Sequence, residues 1–195
     1  MPGLSTGPKF KKMGHRPSAT GEIFLNDVRV HESQMLGKEG QSFINAFADA
    51  FSSLDVERAF APFNYLGIAQ AAFEASLKYS KERFQFGQPL ASFQMIQEKL
   101  ADMATMIDVA RTYAFTCARM VDLKIPLHQA ASISKLFASR VAVDCADMAM
   151  QIFGGYGYMK EYPVERYYRD AKLSEIGAGP SEMQRLIIAR KILKG

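Results

Sequence analysis

From Gly40 to the end of the chain, apolar residues recur at steps of three and four, a pattern that predicts long amphipathic helices. The first helix is expected from about Gln41 to Arg83. Its apolar stripe comprises Phe43, Phe47, Phe51, Leu54, Leu66, Ala69, Phe73 and Leu77. Pro62 lies inside this segment and lacks an N–H, so the carbonyl of Arg58 loses its usual helical partner and a kink is expected there.

The same pattern predicts a second and a third helix, separated by Pro126. The second keeps the period without interruption at Phe93, Ile96, Leu100, Met103, Ile107, Ala110, Ala114, Cys117 and Val121. The third keeps it at Ile133, Phe137, Val141, Cys145, Met148 and Ile152. Two shorter helices are expected, one opening at Pro163 and one from about Ser181 to Leu193. Long helices with short connections predict a mainly α fold, an antiparallel helical bundle.

The first forty residues have a different composition. Residues 1–20 are rich in Gly, Pro, Ser and Lys and lack a helical period, which predicts a loop. Residues 22–30 form a β-branched and aromatic run with an Asn-Asp break, which predicts one strand or a tight pair. Because a strand needs neighbours to satisfy its edges, we expect residues 1–38 to be the tail of a β domain whose body is absent. Residues 39–195 are then the helical domain.

Composition narrows the classes of partner. The chain has 195 residues, of which 48% are hydrophobic, and its net charge is +4 with no run of Lys and Arg typical of nucleic-acid binding. Cys117 and Cys145 both fall in apolar helical patterns without metal-binding spacing, which predicts core thiols in a reducing compartment. No apolar run approaches the ~20 residues that span a bilayer. We expect a soluble intracellular protein without a metal site, membrane insertion or a nucleic-acid partner.

One residue of the first helix is a candidate for catalysis. Glu57 has apolar neighbours on both sides, and the only basic residue near it is Arg58. A carboxylate held away from water has a raised pKa, which suits a general base near neutral pH. An ordinary surface helix, with an exposed Glu57 and an i,i+3 pair between Asp55 and Arg58, explains the same residues. This segment alone leaves both interpretations open.

Three connections between helices carry residues suited to a ligand. The connection after the first helix combines Arg83, whose guanidinium suits a phosphate, with aromatic side chains that offer faces to a flat ring. The third helix ends in closely spaced glycines, which permit a ligand near the backbone, although they do not follow a strand as a dinucleotide-binding fingerprint would. The last connection places Gly179 and Pro180 before Ser181 at an N-cap position. Each connection alone is also consistent with an ordinary turn.

In this order the segments resemble one known family. The C-terminal helical domain of the FAD-dependent acyl-CoA dehydrogenases is similar to the runs ERFQFGQPLASFQMIQEKLADM and SISKLFASRVAVDCADMAMQIFGGYGYMKEYPVERYYRDAKLSEIGAGPSEMQRLIIARKIL. The end of that family's middle β domain resembles the run MGHRPSATGEIFLNDVRVHESQMLG. The resemblance covers essentially the whole chain.

The resemblance implies FAD as the cofactor and indicates which positions would contact it. Contacts with the FAD of a neighbouring subunit would come from Arg83, Gln85 and Phe86. A further flavin-contacting pair falls on Phe93 and Gln94. The segment that approaches the FAD diphosphate corresponds to Gln151, Ile152, Phe153, Gly154 and Gly155. The last loop would add Pro180, Ser181 and Glu182, although many members have threonine where this chain has Pro180, so a hydroxyl and an N–H are missing.

The resemblance also indicates which residue is the catalytic base. Most members carry it as a glutamate on the last loop, where this chain has Ala178. Isovaleryl-CoA and long-chain acyl-CoA dehydrogenases carry it on the first long helix of this domain, in a Leu-Asp-x-Glu-Arg context that matches residues 54–58. The missing loop carboxylate therefore supports Glu57 as the catalytic base. The positions that would bind the acyl-CoA are Asp55, Val56, Arg58, Ala178 and Gly179.

The reaction that the resemblance implies is α,β-dehydrogenation of an acyl-CoA thioester. Glu57 would remove the α proton while the β hydrogen leaves as hydride to the flavin, and the backbone near Ala178 would donate a hydrogen bond to the thioester oxygen. The implied partners are an acyl-CoA, an electron-transfer flavoprotein and further copies of the chain in a dimer or tetramer. The implied location is the cytoplasm, or the mitochondrial matrix in a eukaryote.

Two other interpretations remain. The first is a non-catalytic helical module that oligomerises through its bundle faces and lacks the flavin-contacting β domain. The second is a nucleic-acid-associated member of the same superfamily, which the net charge of only +4 disfavours.

Overall fold

The computed structural model describes residues 1–35, 40 and 43–194, with side chains described for residues 1–35, 40 and 54–194. Several sequence-based predictions fall outside this description. They are the domain boundary at residues 38/39, the helix start at Gln41, and the side chains of Phe43, Phe47 and Phe51 in the first apolar stripe.

The described chain is mainly helical, as predicted. Its helices are α1 (Phe43–Glu82), α2 (Gln94–Asp122), α3 (His128–Phe153), α4 (Val164–Ala171) and α5 (Ser181–Lys194). α1 continues through Pro62 as one helix, and the proline side chain is fully buried. Pro163 directly precedes α4, in the position predicted for a helix start. The apolar period therefore predicted every long element to within a few residues.

α3 lies at the centre of the bundle and packs against α1, α2, α4 and α5. The main core is formed by buried residues of α1 to α4, chiefly Leu66, Met103, Ile107, Val141, Ile152, Phe153 and Val164. Cys117 and Cys145 are both buried, as their positions in the apolar stripes predicted. No helix in the described ranges combines the length and the apolar character needed to cross a membrane.

The prediction of a loop over residues 1–20 is wrong in part. Strand β1 (Leu4–Thr6) pairs antiparallel with β2 (Ile23–Leu25), with Ser5 opposite Phe24. A three-residue strand carries no measurable period, and its partner lies about twenty residues away, so local pattern could not identify it. β2 lies inside the strand predicted at residues 22–30. A second hairpin, of β3 (Phe84–Gln85) and β4 (Gln88–Pro89), lies in the connection between α1 and α2.

The segment before β2 is tied to the helical bundle at α4. The backbone N–H of His15 donates to Asp170 Oδ1 at 2.6 Å, and Arg169 Nη1 donates to the carbonyl of Met13 at 2.7 Å. Gly14 fits between them because it has no side chain: a Cβ there would lie 2.5 Å from the carbonyl oxygen of Arg169. These contacts bring His15 to one wall of the cavity described next.

Candidate active site

Glu57 lies at a cavity of about 570 Å³ between α1, the last connection and the N-terminal segment. The α1 side of the wall follows helical spacing, with Glu57, Ala61, Asn64, Tyr65 and Ile68 on one face. The opposite wall is formed by His15, Asp170, Leu173, Ser174, Gly177 and Ala178. Glu57 and Ala178, the two positions that the resemblance suggested for the base, therefore line the same cavity.

The expectation that Glu57 is held away from water is wrong for this chain, because its side chain is exposed. The core stripe of α1 passes through Arg58, Ala59, Pro62 and Leu66, so position 57 lies beside this stripe. The charge of Glu57 nevertheless acts inside the cavity: the pKa of the Tyr65 phenol is raised by burial and then by the negative charge of Glu57.

A second carboxylate, Asp170, lines the same cavity. It accepts the backbone N–H of His15, so one of its oxygens is committed to holding the N-terminal segment. The sequence analysis did not identify His15, Asn64 or Asp170, because each is polar without a motif of its own.

The predicted substrate-binding residues of α1 fall into two groups. Val56 is exposed and accessible to a ligand. Arg58 is only 3% exposed and is engaged within the protein, since Nη1 donates to Asp55 Oδ1 at 3.1 Å. Asp55 also lies 2.8 Å from Nδ1 of His128, at the start of α3, a partner that the sequence did not reveal. Arg58 and Asp55 therefore contact other protein groups, and neither lines the Glu57 cavity.

The last connection has an unusual backbone. Ala178 and Gly179 both have left-handed φ angles, of +54° and +90°. Their carbonyls accept hydrogen bonds from buried side chains on three helices, Arg58, Lys135 and Gln184. Lys135 and Gln184 have no motif signal, and only their positions on apolar helix faces could have drawn attention to them.

A second group of predicted residues lies on another surface, where the α1–α2 connection meets the end of α3. Two cavities of about 590 and 580 Å³ open here. Every residue predicted to contact FAD before position 160 lines one of them: Arg83, Gln85, Phe86, Phe93, Gln94, Gln151, Ile152, Phe153, Gly154 and Gly155. Pro180, Ser181 and Glu182 line neither cavity. Ser181 is buried, and its hydroxyl donates to the carbonyl of Glu175 at 3.4 Å.

The residues of this surface fit a dinucleotide with a flat ring. Gly154 has φ +59° with no atom within 4 Å of where its Cβ would stand, so a ligand has room against the backbone. Phe86 is 92% exposed and also left-handed, at φ +53°. A non-glycine residue in this conformation is strained, and an aromatic side chain held outward in it is suited to cover a ligand.

Arg83 supplies a positive charge at the first of these cavities, and Lys99 lines the second. The guanidinium of Arg83 lies 5.4 Å from the ring centroid of Tyr156, a cation–π contact that fixes its position. Tyr79, which the sequence analysis missed, lines the same cavity and stacks on Phe153 at 4.0 Å between centroids. Tyr79 lies near the end of α1 and Phe153 ends α3, so this contact joins the ends of two helices.

Comparison with known proteins identifies the family of the chain. The family model "Acyl-CoA dehydrogenase, C-terminal domain" matches residues 47–193. A probable acyl-CoA dehydrogenase of Bacillus subtilis is 51% identical over 99% of this chain and 50% of its own length. The cyclohexane-1-carbonyl-CoA dehydrogenase of Geobacter metallireducens is 47% identical over the same shares.

Solved structures show the same relation. The butyryl-CoA dehydrogenase of Megasphaera elsdenii superposes with a TM-score of 0.92 at 42% identity, over 98% of this chain and 49% of that one. The chain spans about half the length of the relatives it matches. The chain therefore belongs to the acyl-CoA dehydrogenase family and contains its C-terminal helical domain.

Proposed function

We propose that this chain carries the C-terminal half of the active site of a FAD-dependent acyl-CoA dehydrogenase, with Glu57 as the base. The observation that supports this most is the shared cavity of Glu57 and Ala178. The loop position has lost its carboxylate, and the helix position that faces the same cavity has one. Of the two carboxylates that line the cavity, Asp170 accepts the backbone N–H of His15, so we assign proton abstraction to Glu57.

In this proposal Glu57 accepts the α proton of the acyl group, and the thioester oxygen takes up the negative charge that develops. The backbone N–H groups of the Ala178 loop stabilise that charge by donating hydrogen bonds, as preorganised amides do in oxyanion sites. Val56 and Gly179 lie beside this path. Tyr65, in the same cavity wall, keeps a neutral phenol, because burial and the negative charge of Glu57 raise its pKa.

FAD supplies the acceptor for the β hydrogen, which leaves as hydride. The residues that would hold it are those of the two cavities at the α1–α2 connection, with Arg83 toward the diphosphate and Phe86 and Phe93 against flat ring systems. Pro180, Ser181 and Glu182 would approach the cofactor from the Ala178 loop. Because the two surfaces are separate, each flavin would be held by more than one subunit.

Flavin titration of the purified chain tests this proposal. We expect saturable binding of FAD, followed as quenching of flavin fluorescence. Arg83→Met should weaken the affinity by about tenfold or more, because the phosphate loses a charged hydrogen bond. Arg140→Met is the matched control, since Arg140 is exposed and pairs with Asp144 elsewhere on α3. No binding, or equal binding by both variants, would contradict the assignment of this surface.

The domain division and the partners belong to the same proposal. All residues of β1 and β2 are exposed, which a two-stranded ribbon does not sustain by itself and which supports residues 1–38 as the tail of a larger sheet. The proposed partners are an acyl-CoA, an electron-transfer flavoprotein and further copies of the chain, in the cytoplasm or the mitochondrial matrix. A stable oligomer without flavin affinity would instead favour the non-catalytic module.

A further inference from the structure

The connection between α4 and α5 has a backbone conformation that is disfavoured by itself and must be stabilised by the surrounding protein. Ala178 is left-handed at φ +54° and is followed by Gly179 at φ +90°. A left-handed alanine is disfavoured by roughly 1–2 kcal/mol relative to ordinary backbone. Gly179 also has little room, because a Cβ there would lie 2.8 Å from Nε2 of Gln184. A strained conformation at a site persists only where its neighbours hold it.

Buried donors on three helices converge on the two carbonyls of this connection. The carbonyl of Ala178 accepts from Arg58 Nε at 3.3 Å and from Gln184 Nε2 at 3.4 Å. The carbonyl of Gly179 accepts from Lys135 Nζ at 2.9 Å and from Gln184 Nε2 at 3.0 Å. Lys135 and Gln184 are each 0% exposed. Side chains of α1, α3 and α5 therefore hold the connection from the interior side.

This arrangement decides where the N–H of Gly179 points. A trans peptide unit is planar, so the Gly179 N–H lies opposite the Ala178 carbonyl of the same unit. Because that carbonyl faces the buried donors, the N–H faces away from them. In the described part of the chain, neither the Ala178 nor the Gly179 N–H donates to a protein acceptor. Ala178 itself lines the Glu57 cavity.

We propose that Lys135 and Gln184 are positioning residues for the thioester site: Gln184 holds the Ala178 carbonyl inward and so turns the Gly179 N–H toward the bound acyl-CoA, and Lys135 fixes the Gly179 carbonyl that follows. The ligand in this inference rests on the proposed function, whereas the arrangement of the two side chains does not. Neither residue touches substrate in this account; both act through the backbone of the connection.

The charge of Lys135 suits this role better than a purely structural one. Burial lowers the pKa of the Lys135 ammonium to about 8; Glu175 opposes the shift, Arg58 adds to it and Glu182 opposes it. A buried cation is expensive, and an apolar side chain would pack α3 at lower cost. The Gly179 carbonyl that Lys135 binds belongs to the Gly179–Pro180 unit, which has no N–H, so the cation acts by fixing the position of this carbonyl.

NMR spectroscopy of the full 195-residue chain, without ligand, tests the arrangement. The carbonyl ¹³C resonance of Gly179 should titrate with a midpoint near pH 8, the pKa to which burial lowers Lys135. Lys135→Met should abolish this titration, whereas Lys78→Met, on the exposed face of α1, should leave it unchanged. A Gly179 resonance that does not respond between pH 6.5 and 9.5, or that titrates equally in Lys135→Met, would overturn the inference.

Gln184→Met provides a second test that does not depend on the lysine. Without the amide, Ala178 and Gly179 should become mobile, with a lower heteronuclear ¹⁵N NOE than in the parent chain. Unchanged NOE values in a folded Gln184→Met variant would also overturn the inference, whatever Lys135→Met does.

Addition of butyryl-CoA separates the inference from the proposed function. We expect the Gly179 amide proton to shift in the parent chain and to shift less in both variants. If butyryl-CoA leaves the Gly179 amide unperturbed while the titration and the mobility change as expected, the proposed contact with the thioester is wrong. In that case Lys135 and Gln184 still bind the two carbonyls as inferred.

Discussion

At the scale of single residues, the site depends on which charges are held inside the protein and which are not. Arg58 and Lys135 are buried cations behind the Ala178 connection, while Glu57 remains exposed at the cavity. A buried guanidinium keeps its charge at any accessible pH. Lys135 is different, because its lowered pKa lies within the range where proteins are studied.

This difference predicts how stability varies with pH. The folded chain binds the Lys135 proton less tightly than the unfolded chain, with pKa about 8 against the ordinary 10.5. Between these two pH values the unfolded state holds more protons, so Lys135 makes the free energy of unfolding rise with pH. The destabilisation caused by the buried lysine is fully present below pH 8. Urea unfolding at pH 7 and pH 10 should therefore show Lys135→Met gaining stability over the parent more at pH 7 than at pH 10. An equal difference at both values would show that the lysine is not perturbed.

The chemistry of single residues was predictable to a limited extent. Glu57 could be proposed from its apolar neighbours and, through the family resemblance, from the absence of a carboxylate at position 178. The exposure of Glu57 could not be predicted, since the helical period places residue 57 beside the core stripe but does not show which residues cover it. Lys135 and Gln184 were missed because their partners are backbone carbonyls, and such partners leave no sequence pattern.

At the scale of elements, the contact between the N-terminal segment and α4 depends on one glycine. Gly14 lies against the α4 end, where a Cβ would meet the Arg169 carbonyl oxygen at 2.5 Å and Asp170 Oδ1 at 2.7 Å. The same contact holds His15 at the wall of the Glu57 cavity. The helices were predictable from period, whereas this contact joins residues about 155 positions apart and depends on tertiary structure alone.

Gly14→Ala should release this segment without unfolding the bundle. Overpacking of this kind costs about 1–3 kcal/mol, so cleavage by trypsin after Lys12 should accelerate by roughly tenfold. Mass spectrometry of a limited digest measures this rate. Gly67→Ala is the control, because nothing lies within 4 Å of its Cβ position and it is inside α1. Equal digestion of the two variants would show that the Gly14 contact does not hold the segment.

At the scale of the whole molecule, the outer face of α2 has no partner among the described residues that covers it. Val109 is 53% exposed and Phe115 is 60% exposed, and Phe115 packs its ring edge against Phe63 at 5.1 Å between centroids. Large apolar side chains exposed on one helix favour association with another copy. This agrees with the separate location of the two ligand surfaces, which a single subunit does not bring together.

Val109→Lys should weaken that association. A charge placed inside an apolar interface is desolvated without a partner, so we expect the dissociation constant to rise by roughly tenfold or more. Sedimentation velocity over a range of concentrations measures the change. Thr20→Lys, at an exposed position of the N-terminal segment outside α2, is the matched control. Unaltered sedimentation of Val109→Lys would place the interface elsewhere.

The central claim is that Glu57 removes the α proton of an acyl-CoA. Its most direct test is a hybrid in which this chain replaces the matching half of the Megasphaera elsdenii butyryl-CoA dehydrogenase. The measurement is exchange of the α hydrogen of butyryl-CoA with deuterium from solvent, followed by mass spectrometry. Exchange requires proton abstraction and its reversal, so it reports on the base alone.

We predict that Glu57→Gln slows this exchange by about 10²–10⁴-fold, the usual contribution of a general base. Glu74→Gln, an exposed change elsewhere on α1, should leave the rate unaltered. Adding Ala178→Glu to Glu57→Gln should restore part of the rate, because both positions face one cavity. If the Glu57→Gln hybrid binds FAD and exchanges the α hydrogen as fast as the parent hybrid, Glu57 is not the base.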